Sequence, residues 1–223
     1  MNLQQVAEEL QPKSMTARDW VFQVIRSAII RGMLPGNMQL KQDEISAALN
    51  VSHIPVREAL RQLEAQGLVR IYSNRGAVVT KLSKKEMGDV MDVRILLELG
   101  ALHAAIASIT PQDILRAEQA LHSLIASTDY YTSYKYNIEL HFALYACCDN
   151  PALLSMIDQV HANTDRFLHP YFENERSEEF SSIIEHSKLI RACAEQDAGQ
   201  AAAILRTHLE NTKALLMASP LLG

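Results

Sequence analysis

Apolar residues recur at helical spacing along most of the chain. Between Thr16 and Arg31, Trp20, Val24, Ile25, Ala28 and Ile29 predict an amphipathic helix that stops at Gly32 and the Pro35-Gly36 turn. Two shorter helical segments occupy residues 43 to 66. Ile45, Ala48 and Leu49 mark one apolar stripe, which ends at Asn50, a residue able to take the left-handed conformation that closes a helix. Ser52 offers an N-cap oxygen and Pro55 falls in a first turn, where no backbone donor is lost. Val56, Leu60 and Leu63 then form the buried face of the second helix, with Arg57 and Arg61 on the opposite face. A short helix, a tight corner and a helix with cations near its N-terminal half make a helix-turn-helix whose second helix can enter the DNA major groove. After Gly67-Leu68, two β-prone runs flank Ser73-Asn74-Arg75-Gly76, predicting a two-stranded wing with Arg75 at its tip.

The remainder is helical throughout. Ser83 and Glu86 form a capping box that opens a helix running to about Ser108. That helix is apolar on most sides (Met87, Val90, Met91, Val93, Ile95, Leu96, Leu97, Leu99, Leu102), so it is either central in a bundle or covered half by its neighbours and half by a partner subunit. Further helices open at Thr110-Pro111, near Asp129, at Asn150-Pro151, at Ser177 and at Asp197, ending near Ser127, Cys148, Leu168, Gln196 and Met217. The expected fold is mainly α: a winged helix-turn-helix over residues 16–82 followed by a six-helix antiparallel all-α bundle over 83–218. Residues 1–15, with Gln4, Gln5, Gln11 and Pro12, are expected to be a flexible N-terminal arm.

Composition agrees with two domains of ordinary size in 223 residues, 48% of them hydrophobic. The net charge of −5 argues against indiscriminate polyanion binding, but its distribution is uneven: of 21 Lys/Arg and 26 Asp/Glu, residues 11 to 82 carry ten and five. A basic N-terminal module on an acidic body suits a DNA reader with a separate non-DNA domain. Cys147, Cys148 and Cys193 are odd in number and lack paired metal spacing, so neither a disulfide framework nor a zinc ribbon is indicated, and the pattern suits buried thiols in a reducing cytoplasm. With neither a signal-peptide pattern nor an apolar run long enough to span a bilayer, a cytoplasmic protein without membrane partners is expected.

The blocks GMLPGNMQL, NVSHIPVREAL, EAQGLV and NRGAVV resemble, in order and spacing, the winged-helix domain of GntR-type bacterial transcription regulators over residues of roughly 16 to 82. The resemblance implies contacts of Ser52, His53, Arg57, Arg61 and Arg75 with a double-stranded DNA operator. Two positions depart from it: the family usually has arginine where His53 stands, and many members have a basic residue where Asp43 stands. Operator sequence or affinity should differ from the family norm accordingly.

In the second domain Asn137 and His141 lie four apart on one helix face, and His186 and His208 sit on the fifth and sixth bundle helices. Three helices can deliver three imidazoles and one amide oxygen to one point, although helical histidines are as readily hydrogen-bonded or surface residues, and spacing alone leaves both readings open. The segments NIELHFALYACCDNPAL and EHSKLIRACAEQDAGQAAAILRTHL are similar to the FCD effector domain of the FadR subfamily, an all-α bundle often holding a divalent metal on three histidines and one Asp or Asn. The resemblance implies Asn137, His141, His186 and His208 as ligands, with Zn²⁺ or Ni²⁺ suited to such a shell. Asn137 replaces the usual Asp and removes a negative charge, so binding should be weaker and more dependent on an added anion. Arg94, four residues before Glu98, forms an i,i+4 ion pair on the bland reading; the resemblance instead points it into the pocket to hold an effector carboxylate. Tyr134 is expected on the same cavity. His103, His122, His161 and His169 match no ligand position and are read as structural or exposed.

The expectation is a homodimeric regulator, a repressor, sensing a small carboxylate metabolite, because one short helix reads few base pairs and two half-sites are needed. A metal-dependent enzyme and an effector-independent architectural DNA binder are the alternatives. Against the first, Glu185 adjoins His186 in sequence and so points elsewhere on the helix, leaving no general base beside the ligands; against the second stands the polar bundle interior.

Overall fold

The computed structural model describes residues 3–10, 15–168, 176–218 and 222, the side chains of 176–181 excepted; His169 lies outside the described residues. The chain divides into two compact units, Met1–Leu82 and Ser83–Gly223.

The first unit contains α1 (Leu3–Glu9), α2 (Ala17–Ile30), β1 (Gln39–Leu40), α3 (Gln42–Leu49), α4 (His53–Ala65), β2 (Val69–Tyr72) and β3 (Gly76–Val79). Thr16 caps α2 by accepting from Asp19 N. The apolar stripe of α2 packs on α4, where Val56, Leu60 and Leu63 are buried. Asn50 ends α3 at φ 51, giving the tight corner that aims α4. Ser52 occupies the N-cap position of α4, but contrary to expectation its hydroxyl makes no cap hydrogen bond. The extended backbone there suffices to start the helix, and the side chain stays exposed.

Two expectations are corrected. The wing belongs to a three-stranded antiparallel sheet of order β1-β3-β2, with Gln39 opposite Val78 and Leu40 opposite Ala77. Two residues are too few for strand alternation to register in a sequence. Residues 1–15 are not simply a flexible arm, because Leu3–Glu9 is helical with Leu3 and Val6 buried. A seven-residue, glutamine-containing helix has no stability alone; here it packs on α2 and α3, Glu9 pairs with Arg31 at 2.5 Å, and Trp20 Nε1 donates to Leu10 O at 2.7 Å.

The second unit contains α5 (Lys84–Ala105), α6 (Pro111–Ala126), α7 (Tyr130–Leu144), α8 (Pro151–Thr164), α9 (Arg176–Ala194) and α10 (Ala198–Ala218), with 3₁₀ turns at Ile106–Ser108 and Asp165–Phe167. The Ser83–Glu86 capping box is present, and Thr110 with Asp113 makes a second. Leu102, Leu140, Leu144, Ile157, Leu189, Leu205 and Leu209 form the core. The helix α5 buries Met87, Met91 and Leu102 yet leaves Val93 and Leu96 47% and 71% exposed, so its apolar surface exceeds what its own unit covers. No helix among the described residues is long and apolar enough to cross a membrane.

Candidate DNA interface and metal centre

In the first unit the exposed residues of α4 and the wing include four arginines, Arg57, Arg61, Arg70 and Arg75, against the carboxylates of Glu58 and Glu64. Arg57 and Arg61 on α4 and Arg75 at the wing tip are exposed and make no ion pair among the described residues, unlike Arg18 and Arg31, which are paired with Asp19 and Glu9. Gly76 at φ 68 turns the tip, and the Gln39 side-chain amide donates to Arg75 O at 2.5 Å, holding the tip backbone. Glu64 ties wing to helix by accepting from Ile71 N at 2.7 Å. The two positions that depart from the family pattern meet in space: His53 Nδ1 lies 3.6 Å from Asp43 Oδ1, both side chains open to solvent.

In the second unit three helices converge on one point. His141 from α7, His186 from α9 and His208 from α10 are 0%, 1% and 5% exposed, and each offers a ring nitrogen within 4.8 Å of the other two. His141 Nε2 and His186 Nε2 are 3.2 Å apart. The back nitrogens set the tautomers. His208 Nδ1 lies 2.8 Å from Glu185 Oε2, which can only accept, so Nδ1 carries a proton and Nε2 is left as the nitrogen for a metal. The Tyr145 hydroxyl donates to Glu98 Oε2 at 2.7 Å and is 3.3 Å from His141 Nδ1, which lets His141 donate from that side too. The buried His186 Nδ1 has no hydrogen-bond partner among the described residues. Burial pushes the His141 imidazole down to about 3, against the pull of Glu98, and burial with the neighbouring imidazoles holds His186 well below its ordinary value. Both are therefore neutral at pH 7, the ligating form.

This donor set fits a divalent metal. Ligand nitrogens at about 2.0–2.1 Å from a tetrahedral ion lie about 3.3 Å from one another, close to the 3.2 Å between His141 and His186. Carboxylates behind ligating imidazoles are the usual means of fixing their orientation. Glu185 serves His208 in this way, and the hydrogen bond from His208 lowers its pKa. Glu185 does point away from His186, but toward the next helix, which single-helix geometry could not foretell. Asn137, one turn before His141, is half-buried. It lines a cavity of about 70 Å³ together with Arg94, Tyr134, His208 and Thr212. Ordered water needs about 10–15 Å³ on this measure, so the space admits a few waters or a small organic acid.

Arg94 is on the cavity wall but is committed to partners. Buried at 1% exposure, it donates from Nε to Glu98 Oε1 at 2.6 Å and from Nη1 to Asp165 Oδ1 at 2.5 Å and Thr164 Oγ1 at 3.0 Å. His161, fully buried, lies 3.1 Å from Glu98 Oε1 and 3.0 Å from Asp165 Oδ2. Burial and the Arg94 charge oppose protonation of His161, but the two carboxylates outweigh them and raise its pKa. Burial likewise opposes ionisation of Asp165 and Glu98; Arg94 and His161 overcome it, holding Asp165 at about 2 and Glu98 well below the usual carboxylate range. Arg94, His161, Glu98 and Asp165 thus form one buried cluster in which each carboxylate faces both the guanidinium and the His161 ring. The ion pair with Glu98 is the bland reading of Arg94; Asp165 and His161 are partners that sequence spacing did not suggest. His103 and His122 are exposed.

Residues 17–79 match the gntR family of bacterial regulatory proteins, and residues 89–211 match the FCD domain. The chain is 24% identical over 193 residues to the HTH-type transcriptional repressor RspR of Escherichia coli K12, covering 85% of this chain and 84% of that protein. It is 36% identical over 74 residues to the gluconate operon transcriptional repressor of Bacillus licheniformis, 33% of this chain and 30% of that one. The structure of E. coli McbR/YncC superposes with a TM-score of 0.82 at 23% identity, covering 91% of this chain and 97% of that one, which establishes a common fold. The chain belongs to the gntR family of bacterial regulatory proteins that carry an FCD domain, and is a DNA-binding transcriptional regulator.

Proposed function

We propose that the protein is a dimeric repressor whose helical unit senses a small carboxylate at a divalent metal held by His141, His186, His208 and Asn137. The observation that carries the sensor reading is the buried cluster of three convergent imidazoles beside a cavity that Asn137, Arg94 and Thr212 also line. A divalent ion there would supply a Lewis-acidic centre, and a carboxylate oxygen would join it by expanding the four-ligand shell or by taking the place of Asn137. Because the charge of Arg94 is already matched by Glu98 and Asp165, the guanidinium contributes a fixed wall and at most part of the anion's hold. His208 and Asn137 line the cavity directly, and Tyr134 and Thr212 complete its polar side. The names of RspR and the gluconate operon regulator support repression as the sign of control. Effector binding must favour one arrangement of the two reading helices over another to alter DNA affinity.

Dimerisation is supported by α5. Val93, Leu96, Gly100 and His103, spaced by three and four, make an exposed stripe on an otherwise apolar helix. Leu96→Glu is expected to convert dimer to monomer in sedimentation or light scattering without loss of helical signal; an unchanged dimer would remove α5 from the interface.

The test of the DNA reading is Arg57→Ala. At fixed salt the variant should bind the operator about 10- to 100-fold more weakly, with its helical content intact. Unchanged affinity would refute the assignment of α4 as the reading helix.

A further inference from the structure

We propose that Ile54 reads the 5-methyl group of a thymine in each operator half-site. The inference rests on α4 entering the major groove and adds the base that one position on it selects.

Ile54 lies in the first turn of α4 and is 58% exposed, whereas Val56, Leu60 and Leu63 on the same helix are at most 1% exposed. It is not on the core-facing stripe. Positions 54, 57 and 61 are spaced by three and seven, so Ile54 shares its helix face with Arg57 and Arg61 and stands at the N-terminal end of that face. Ser52 and His53, also exposed, flank it. The cationic face is the one that meets DNA, and the N-terminal residues of a reading helix are those that reach base edges. Ile54 is thus directed to the groove floor with the arginines on one side and the helix start on the other.

A branched aliphatic side chain has no donor or acceptor with which to read the hydrogen-bonding pattern of a base. The one apolar group that standard base pairs display in the major groove is the thymine methyl. Contact between the two removes apolar surface of both from water, and guanine, adenine or unmethylated cytosine at that position offers nothing equivalent. With Arg57 positioned one turn on for a guanine edge or a phosphate, the neighbouring step should contain a thymine on one strand.

The experiment begins with duplexes selected from a random pool by the full-length protein. Each thymine is then replaced singly by deoxyuridine, which deletes the methyl and leaves every hydrogen-bonding group. Dissociation constants are measured at fixed salt for the parent, Ile54→Ala, Ile54→Val and Arg57→Ala. One thymine per half-site should show a loss of about three- to tenfold with the parent. That loss should vanish with Ile54→Ala and largely persist with Ile54→Val, which keeps the branched contact. Absence of a deoxyuridine effect at every thymine, or an equal effect in parent and Ile54→Ala, would overturn the inference about Ile54 while a weakened Arg57→Ala leaves the reading helix standing. Parental binding by both Arg57→Ala and Ile54→Ala would overturn the reading-helix assignment and this inference together.

Discussion

Asp165→Ala is expected to destabilise the helical unit by about 3 to 5 kcal/mol. The side chain is buried beside the guanidinium of Arg94 and the ring of His161, with both of which it pairs. Its removal leaves the Arg94 guanidinium with Glu98 as its remaining carboxylate partner among the described residues, and strips His161 Nδ1 of its acceptor. An unmatched charge in such a place costs far more than the pair contributes, because desolvation has already been met and the compensating field is gone. The effect should be strongly non-additive. In Arg94→Met/Asp165→Leu the guanidinium and the carboxylate facing it are removed together, so the double variant should unfold at higher urea than Asp165→Ala alone. Urea titration of the far-ultraviolet helical signal measures both. A single variant within about 0.5 kcal/mol of the parent, the range of ordinary surface substitutions, would show that Asp165 is not paired as described.

The winged helix was legible because its signals are local. Asn50, Pro55 and the helical spacing of Val56, Leu60 and Leu63 each fix backbone or burial within a turn or two, and four blocks had to agree in order. Six helices of the second unit were legible for the same reason: Thr110-Pro111 and Asn150-Pro151 announce helix starts, and the Ser83–Glu86 box forms as written. Limits appear where structure depends on distant partners. β1 exists only because β3 is there to pair with it, and α1 only because α2 and α3 cover Leu3 and Val6. The same division runs through the candidate site. His141, His186 and His208 could be named from their family setting, and the i,i+4 step from Arg94 to Glu98 from helix geometry. Asp165 lies 71 residues from Arg94 in sequence, and Glu185 is 23 residues from His208. No periodicity within one helix encodes which face of another it will meet, so these supporting carboxylates became visible only with the packing.

His186→Ala is expected to abolish metal binding. Elemental analysis of the parent should give about one ion per chain, Zn²⁺ or Ni²⁺ being suited to an imidazole-rich shell, and the variant essentially none. His186 contributes the nitrogen facing His141 at 3.2 Å, so its loss leaves two imidazoles, too few to retain an ion through purification. Because a buried ring is removed, folding must be followed separately by helical signal, and Glu185→Gln supplies a gentler arm. There His208 loses its carboxylate partner while all three ligating rings remain, and affinity should fall by about 10- to 100-fold rather than vanish. Asn137→Asp should act in the opposite direction, restoring a negative oxygen beside the cation and tightening the ion's hold. Small mono- and dicarboxylates should raise the melting temperature of the metal-loaded parent and have little effect on His186→Ala. Parental metal content in His141→Ala and His208→Ala would sink the proposed shell. If the parent carries no ion even after incubation with Zn²⁺ or Ni²⁺, the sensor reading through a metal fails, and the imidazoles act as neutral hydrogen-bonding walls of the cavity.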